Sequence, residues 1–249
     1  MDLLKKNIFG QYLFLKKLVI RTFAFVTYIR FKKVNYPKIV GAELFRDLPK
    51  QNVLFVSNHQ TYFADVAFMV HAMETAIYGY PNEIKLRGIL SCPFVDFYFV
   101  AAEETMKSGL LPKILAYAGA ITIKRTWREA GKAIKRPVDQ ADTEKIKIAL
   151  ANGWVVNFPQ GTTKAFAEGR KGTAHIIKNY KPIVVPITID GFRRAFDKKG
   201  LFIKKKNTAL QMQVHQPLKI DYEDSVENIL KQVMVAINQQ EGYEKYKSQ

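Results

Sequence analysis

A single cysteine, Cys92, leaves the chain without an intrachain disulfide, which excludes a stapled scaffold and fits a reducing compartment. Fourteen glycines in 249 residues are far too few for a collagen-like rod. Acidic side chains are scarce: 22 Asp and Glu stand against 39 Lys and Arg, giving a formal charge of +17. A long uncharged apolar run is missing too. Crossing a bilayer as a helix takes about 20 predominantly apolar residues, yet in the greasiest stretch, residues 7–34, Arg21 and Arg30 leave only Thr22 to Ile29 free of charge between them. Neither a spanning helix nor a signal peptide is expected, because charges interrupt the stretch and no small-residue cleavage site follows cleanly.

What is present is a globular composition. Hydrophobic residues make up 48% of the chain, too many for a disordered polymer. No internal repeat and no Pro/Gly/Ser-rich linker divides it, so residues 41–249 read as one α/β domain behind an N-terminal helical segment, residues 1–40. The charge excess calls for an anionic partner: nucleic acid, a membrane surface or a phosphorylated substrate. Zinc-finger spacing, an RNP-like aromatic pattern and a basic reading helix are all absent, which argues against nucleic acid.

The N-terminal segment concentrates the charge, with nine basic residues against Asp2 alone in positions 1–40. Between its cations lie Phe9, Leu13, Leu15, Leu18, Phe23, Phe25 and Ile29. Two readings stay open: an amphipathic helix lying in an anionic membrane interface, with Lys and Arg reaching the headgroups, or a helix packed on the domain core. Past Lys50, short apolar runs alternate with helical stretches. Val53–Ser57, Ala120–Ile123, Trp154–Phe158, Ile183–Ile189 and Leu210–His215 read as strands, and the near-continuous apolar ones as strands covered on both faces. Residues 142–152 read as a helix capped by Asp142 or Thr143. A helix after Ser225 follows the spacing Val226, Ile229, Leu230, Val233, Met234, Ile237. The sheet is expected to be mostly parallel or mixed and flanked by helices.

Four segments carry chemistry. Asn58-His59 follows the first strand, with Asp65 six residues beyond His59: a base and a carboxylate able to orient it. A nucleophile triad is less attractive, since Ser57 sits in no G-x-S-x-G elbow and Cys92 lacks an activating context. Gly119 to Arg125 is a strand delivering Lys124 and Arg125 at its end, a candidate phosphate clamp that continues as a basic run through Arg128, Lys132, Lys135 and Arg136. Phe158-Pro159-Gln160-Gly161-Thr162-Thr163-Lys164 closes another strand, with Gly161 allowing close backbone approach and the threonines able to donate to an anion. Val184-Val185-Pro186-Ile187 is an apolar strand whose proline belongs at an edge or a bulge.

Taken in order, these segments resemble the glycerolipid acyltransferase family, which includes the 1-acylglycerol-3-phosphate acyltransferases. The resemblance runs from about Gly41 to Ile189 and takes in Lys171-Gly172, the basic residue and glycine that open a helix after the third motif. It implies transfer of a fatty acyl group from coenzyme A or acyl carrier protein to a hydroxyl of a lysophosphatidic-acid-like or other lipid acceptor. His59 would be the general base, Asp65 its orienter, and no metal or further cofactor would be needed. Asn58, Lys124, Arg125, Gln160, Gly161, Thr162, Thr163 and Lys164 would bind substrate, with an oxyanion donor on backbone N–H groups near Gly161 or on a third-motif side chain. A peripheral protein on the cytoplasmic face of a membrane is the expected setting. The chain departs from the family pattern twice. Gln160 and Thr163 replace a Glu and an Arg, leaving open a different acceptor, such as an N-acylated amino-acid lipid, or a non-catalytic membrane-binding relative. One extra residue separates His59 from Asp65, about 100° of helical phase, so the two meet only if His59 lies in the preceding loop or the turn is bulged.

Overall fold

The computed structural model describes residues 4–91, 96–125 and 139–240, and the backbone of 128–129 and 132–133. Cys92, the side chains of the basic run Arg128 to Arg136, and the residues from Glu241 onward, whose fraying the sequence suggests, lie outside the described residues. In chain order the elements are α1 (Leu13–Tyr28), running into a π-helical turn (Ile29–Lys33), β1 (Tyr36–Val40), a 3₁₀ turn (Ala42–Arg46), β2 (Val53–Ser57), α2 (Ala64–Ile77), α3 (Leu86–Ser91), β3 (Phe97–Ala102), α4 (Glu103–Lys107) and α5 (Leu110–Ala116). They continue with β4 (Ala120–Ile123), the short pair β5 (Arg128–Glu129) and β6 (Lys132–Ala133), α6 (Gln140–Asn152), β7 (Trp154–Asn157), α7 (Lys171–Tyr180), β8 (Ile183–Asp190), α8 (Phe192–Ala195), β9 (Ala209–Val214) and α9 (Val226–Ala236).

Seven strands form one mixed sheet in the order β1-β9-β8-β2-β7-β3-β4. Within this sheet only β8 and β9 pair antiparallel among the described residues, so β8, β2, β7, β3 and β4 all point their C-terminal ends to the same side. The central strand β2 is buried at all five positions, and its alternate residues feed two cores. Val53 and Phe55 meet Phe68, Met69 and Ala72 of α2 on one face. Leu54 and Val56 meet Ile146 of α6, Ile177 of α7 and Val233 of α9 on the other. The result is the expected α/β domain, helices on both faces of one sheet.

The proline of the fourth motif departs from expectation. Pro186 sits in β8, an interior strand, in register with Val56. The amides of Ile183 and Ile189 face β2, donating to Asn52 O and Asn58 Oδ1, so the alternate position 186 faces β9. The β8–β9 register begins at Ile187↔Val214, and just beyond it Pro186 O still accepts from His215 N–H at 2.9 Å, so the proline lacks only a donor at the margin of the pairing. The cap of α6 lies one turn earlier than expected: Asp139 accepts from the amide of Ala141 at 3.0 Å.

Helix α1 packs on the domain along one side and leaves the other open. Ile20 and Ala24 on it, and Phe31 on the turn after it, are buried against the domain. The opposite stripe, Phe14, Leu15, Leu18, Phe25, Val26 and Ile29, is exposed. Lys16 lies on the buried side, fully enclosed, its amine donating to Phe97 O at 3.1 Å and sitting 4.4 Å from the centre of the Tyr98 ring. No helix among the described residues is long and apolar enough to cross a membrane.

Candidate active site

The site is built where β2, β7 and β8 end. Past Ser57, the side chain of Asn58 extends the β2–β8 ladder: its Nδ2 donates to Ile189 O at 2.9 Å and its Oδ1 accepts from Ile189 N at 2.8 Å. Residues 58–63 then form a loop, and α2 starts at Ala64. His59 is therefore in the loop and Asp65 in the first helical turn, the geometry the extra residue requires, and His59 Nδ1 lies 3.0 Å from Asp65 Oδ2.

The Asp65 carboxylate is fully buried. Oδ2 accepts from the backbone N–H of Gln60 at 2.5 Å and of Thr61 at 3.0 Å, and Oδ1 accepts from the Thr61 hydroxyl at 2.6 Å. Surrounded by donors, the carboxylate acts as an acceptor toward His59, which assigns the proton to Nδ1 and leaves the Nε2 lone pair available. The imidazole stacks on Phe158 from the end of β7, ring centres 3.9 Å apart and planes 20° from parallel, so two strands together fix its orientation.

The third-motif loop turns at Gly161, whose φ of +62° is in the left-handed region and whose N–H closes the turn on Phe158 O at 2.9 Å. Thr162 and Thr163 face the cavity beyond it. Gln160 does not line that cavity. Its side chain is buried, with Nε2 donating to Ala167 O at 2.8 Å and to Gln239 Oε1 at 3.1 Å, so it holds the loop to the segment after α9. Lys164 is exposed and off the cavity wall.

The cavity itself measures about 620 Å³, and His59, Lys124, Arg125, Gly161, Thr162 and Thr163 all line it. Apolar side chains including Phe99, Met106, Ile123 and Ile146 share the wall. Lys124 is half-exposed with its amine 3.5 Å from Asp139, whereas no carboxylate among the described residues pairs with Arg125. Four cations, Lys124, Arg125, Arg170 and Lys171, and two imidazoles, His59 and His175, thus line one space, with Arg170 beside α7 and Lys171 and His175 within it. Arg170 and His175 are not legible as site residues in the sequence. Nor is Arg193, whose Nη2 donates to Thr163 O at 2.5 Å and reaches His59 O at 3.4 Å, tying the first- and third-motif loops together. Its signal was the one used for Lys124-Arg125, cations just past the end of a strand: Arg193-Arg194 follows β8.

Residues 36–190 match the family model described as Acyltransferase, well over half of the chain and inclusive of all four motifs. The chain belongs to the acyltransferase family. Among solved structures, this acyltransferase is similar to the 1-acyl-sn-glycerophosphate (LPA) acyltransferase PlsC from Thermotoga maritima, at 17% identity and a TM-score of 0.52, over 94% of this chain and 80% of that one. That likeness is one of fold. No curated protein matches the acyltransferase significantly in sequence. The resemblance read from the motifs holds at the level of the family, and an acyltransferase implies an acyl donor and an acceptor.

Proposed function

We propose that this acyltransferase moves a fatty acyl group from an acyl-CoA or acyl-carrier-protein thioester to a hydroxyl of a lysophosphatidic-acid-like or other lipid acceptor, while bound peripherally to an anionic membrane on its cytoplasmic face. The observation that carries the reading is the His59–Asp65 pair, 3.0 Å apart, on a cavity that combines apolar walls with Arg125. His59 Nε2 takes the proton of the acceptor hydroxyl as its oxygen attacks the thioester carbon, and Asp65 stabilises the imidazolium through Nδ1–H. The C–S bond then breaks, and the imidazolium returns the proton to the departing sulfur. Arg125, with Lys124, binds a phosphate of donor or acceptor. Thr162 and Thr163 are the third-motif groups best placed to donate to the oxyanion, since the Gly161 N–H is already used in its turn.

Gln160 supports the turn rather than the substrate in this reading, so its replacement of an acidic residue does not remove a charge from the cavity. The exposed apolar stripe of α1, bearing Arg21 and followed by Lys32 and Lys33, supports the membrane contact. The test is thiol release from long-chain acyl-CoA and acyl carrier protein, with lysophosphatidic acid, other lysolipids and N-acyl amino acids as acceptors. His59→Ala is expected to lower turnover by about 10²- to 10⁴-fold. Turnover within a few-fold of wild type in His59→Ala removes His59 as the base, and silence of folded wild type across all donors and acceptors favours a non-catalytic relative.

A further inference from the structure

Residues 198–206 read KKGLFIKKK: five lysines, no acidic residue, and Phe202 among them. The segment is a fixed turn. Asp197 Oδ1 accepts from the amides of Leu201 at 2.7 Å and Phe202 at 2.8 Å, its N–H returns to Phe202 O at 2.9 Å, and Phe196 bridges Ile203. Phe202 is nevertheless 72% exposed. The lysines are exposed as well, and none of them pairs with a carboxylate among the described residues. A large ring held outward by a fully bonded turn, ringed by unneutralised cations, is shaped for something outside the monomer.

The turn also touches both ends of the machinery already described. Arg30, in the π-helical turn after α1, donates from Nη1 to Leu201 O at 2.6 Å. On its other side the amides of Tyr62 and Phe63, in the loop that carries His59, donate to Lys198 O at 3.1 Å and Lys199 O at 3.0 Å. Gly200, at φ +78°, packs so closely there that a Cβ would fall 2.6 Å from Ala64 N. The turn therefore lies between the end of the exposed apolar helix and the catalytic loop.

We infer that residues 197–206 are a second membrane-docking element, with Phe202 entering the interface of an anionic bilayer and the lysines binding headgroup phosphates. The inference rests on the membrane reading given above and adds the surface by which the bilayer meets the His59 loop. Anionic lipid satisfies both halves of the motif: the lysines take the phosphates and the ring takes the acyl boundary. An acidic carrier protein would satisfy the lysines alone.

Co-sedimentation of the full chain with phosphatidylcholine vesicles, with and without phosphatidylglycerol, tests this. Two turn variants are compared, Phe202→Ser and the fourfold Lys198→Gln, Lys199→Gln, Lys205→Gln, Lys206→Gln, beside the α1 variant Leu18→Ser, Phe25→Ser. Thermal midpoints confirm that each is folded. Phe202→Ser is expected to weaken binding to both vesicle types roughly tenfold. The lysine variant is expected to weaken binding to phosphatidylglycerol vesicles by about a hundredfold or more and to lose the preference for them. Turn variants that bind like wild type while the α1 variant does not would overturn the inference and leave the membrane reading standing. Wild type that sediments with neither vesicle would overturn both. Turn variants that bind vesicles normally but lose turnover with acyl carrier protein and keep it with acyl-CoA would assign the lysines to the carrier protein instead.

Discussion

At the residue scale, Asp65 does two jobs through one carboxylate. It orients His59, and it accepts three further hydrogen bonds that shape residues 60–61. Asp65→Asn keeps the size but replaces an acceptor oxygen by an NH₂ facing donors. Turnover should fall as far as in His59→Ala, and folding stability should drop by about 1–3 kcal/mol, measured by denaturant melts. Arg193 acts differently, since its guanidinium touches the backbone of both loops and not the base itself. In Arg193→Ala, kcat should fall about tenfold or more with KM little changed, and Arg193→Lys should recover part of it; a variant that alters only the thermal midpoint would leave Arg193 a purely structural residue. The His59–Asp65 pair was legible because Asn58-His59 and Asp65 stand just past an apolar strand as the first of four ordered motifs, whereas a lone His and Asp at this spacing would not have stood out. Arg193 carried only the signal of a cation past a strand end, and its role stayed hidden because its two contacts come from 30 and 134 residues away in the chain.

At the element scale, α1 combines an exposed apolar stripe with a buried cation. Burial lowers the Lys16 pKa from 10.5 to about 7, with Asp96 opposing the shift. The unfolded chain therefore holds the extra proton between about pH 7 and 10.5 while the folded chain does not, so stability rises with pH through that window and the full penalty is present below it. Lys16→Met should flatten this rise and, at on the order of 1.4 kcal/mol per pKa unit, raise stability at pH 6 by up to a few kcal/mol, less the lost bond to Phe97 O. Thermal melts of both proteins from pH 6 to 10 check it. The buried strands β2, β7 and β8 were legible as continuous apolar runs. β1 was not, because as an edge strand it carries Pro37 and exposes Tyr36, Lys38 and Val40, and it falls within the segment 1–40 that its charge sets apart. For α6, the apolar spacing of Ile146, Ala149 and Leu150 gives the buried face but not the start. Asp142, the expected cap, instead accepts from the Lys124 amide at 2.7 Å and the Lys145 amine at 2.8 Å.

At the scale of the molecule, the site depends on the far end of the described chain. Gln239, just past α9, accepts with one oxygen from Gln160 Nε2 at 3.1 Å and from the Phe166 amide at 3.0 Å. Gln239→Ala removes the acceptor that the two donors share, and should loosen the third-motif loop, lowering kcat/KM while hydrogen exchange of residues 160–167 rises; unchanged exchange there would show the tie to be dispensable. No local pattern announces this contact, nor the order of the strands. Apolar runs say that Val53–Ser57 and Ile183–Asp190 are covered strands, whereas their adjacency is set by how the helices cross over between them.

The central position of β2 has a consequence in time. Its neighbours β7 and β8 lie about a hundred residues or more downstream, at 154–157 and 183–187. At roughly 5–20 residues per second of synthesis, this strand of five buried positions waits on the order of ten seconds for its second partner. Until then the growing chain carries this apolar strand with at least one edge unpaired, so a chaperone that shields Val53–Val56 during synthesis is expected to raise the yield of folded enzyme without changing the stability of the finished fold.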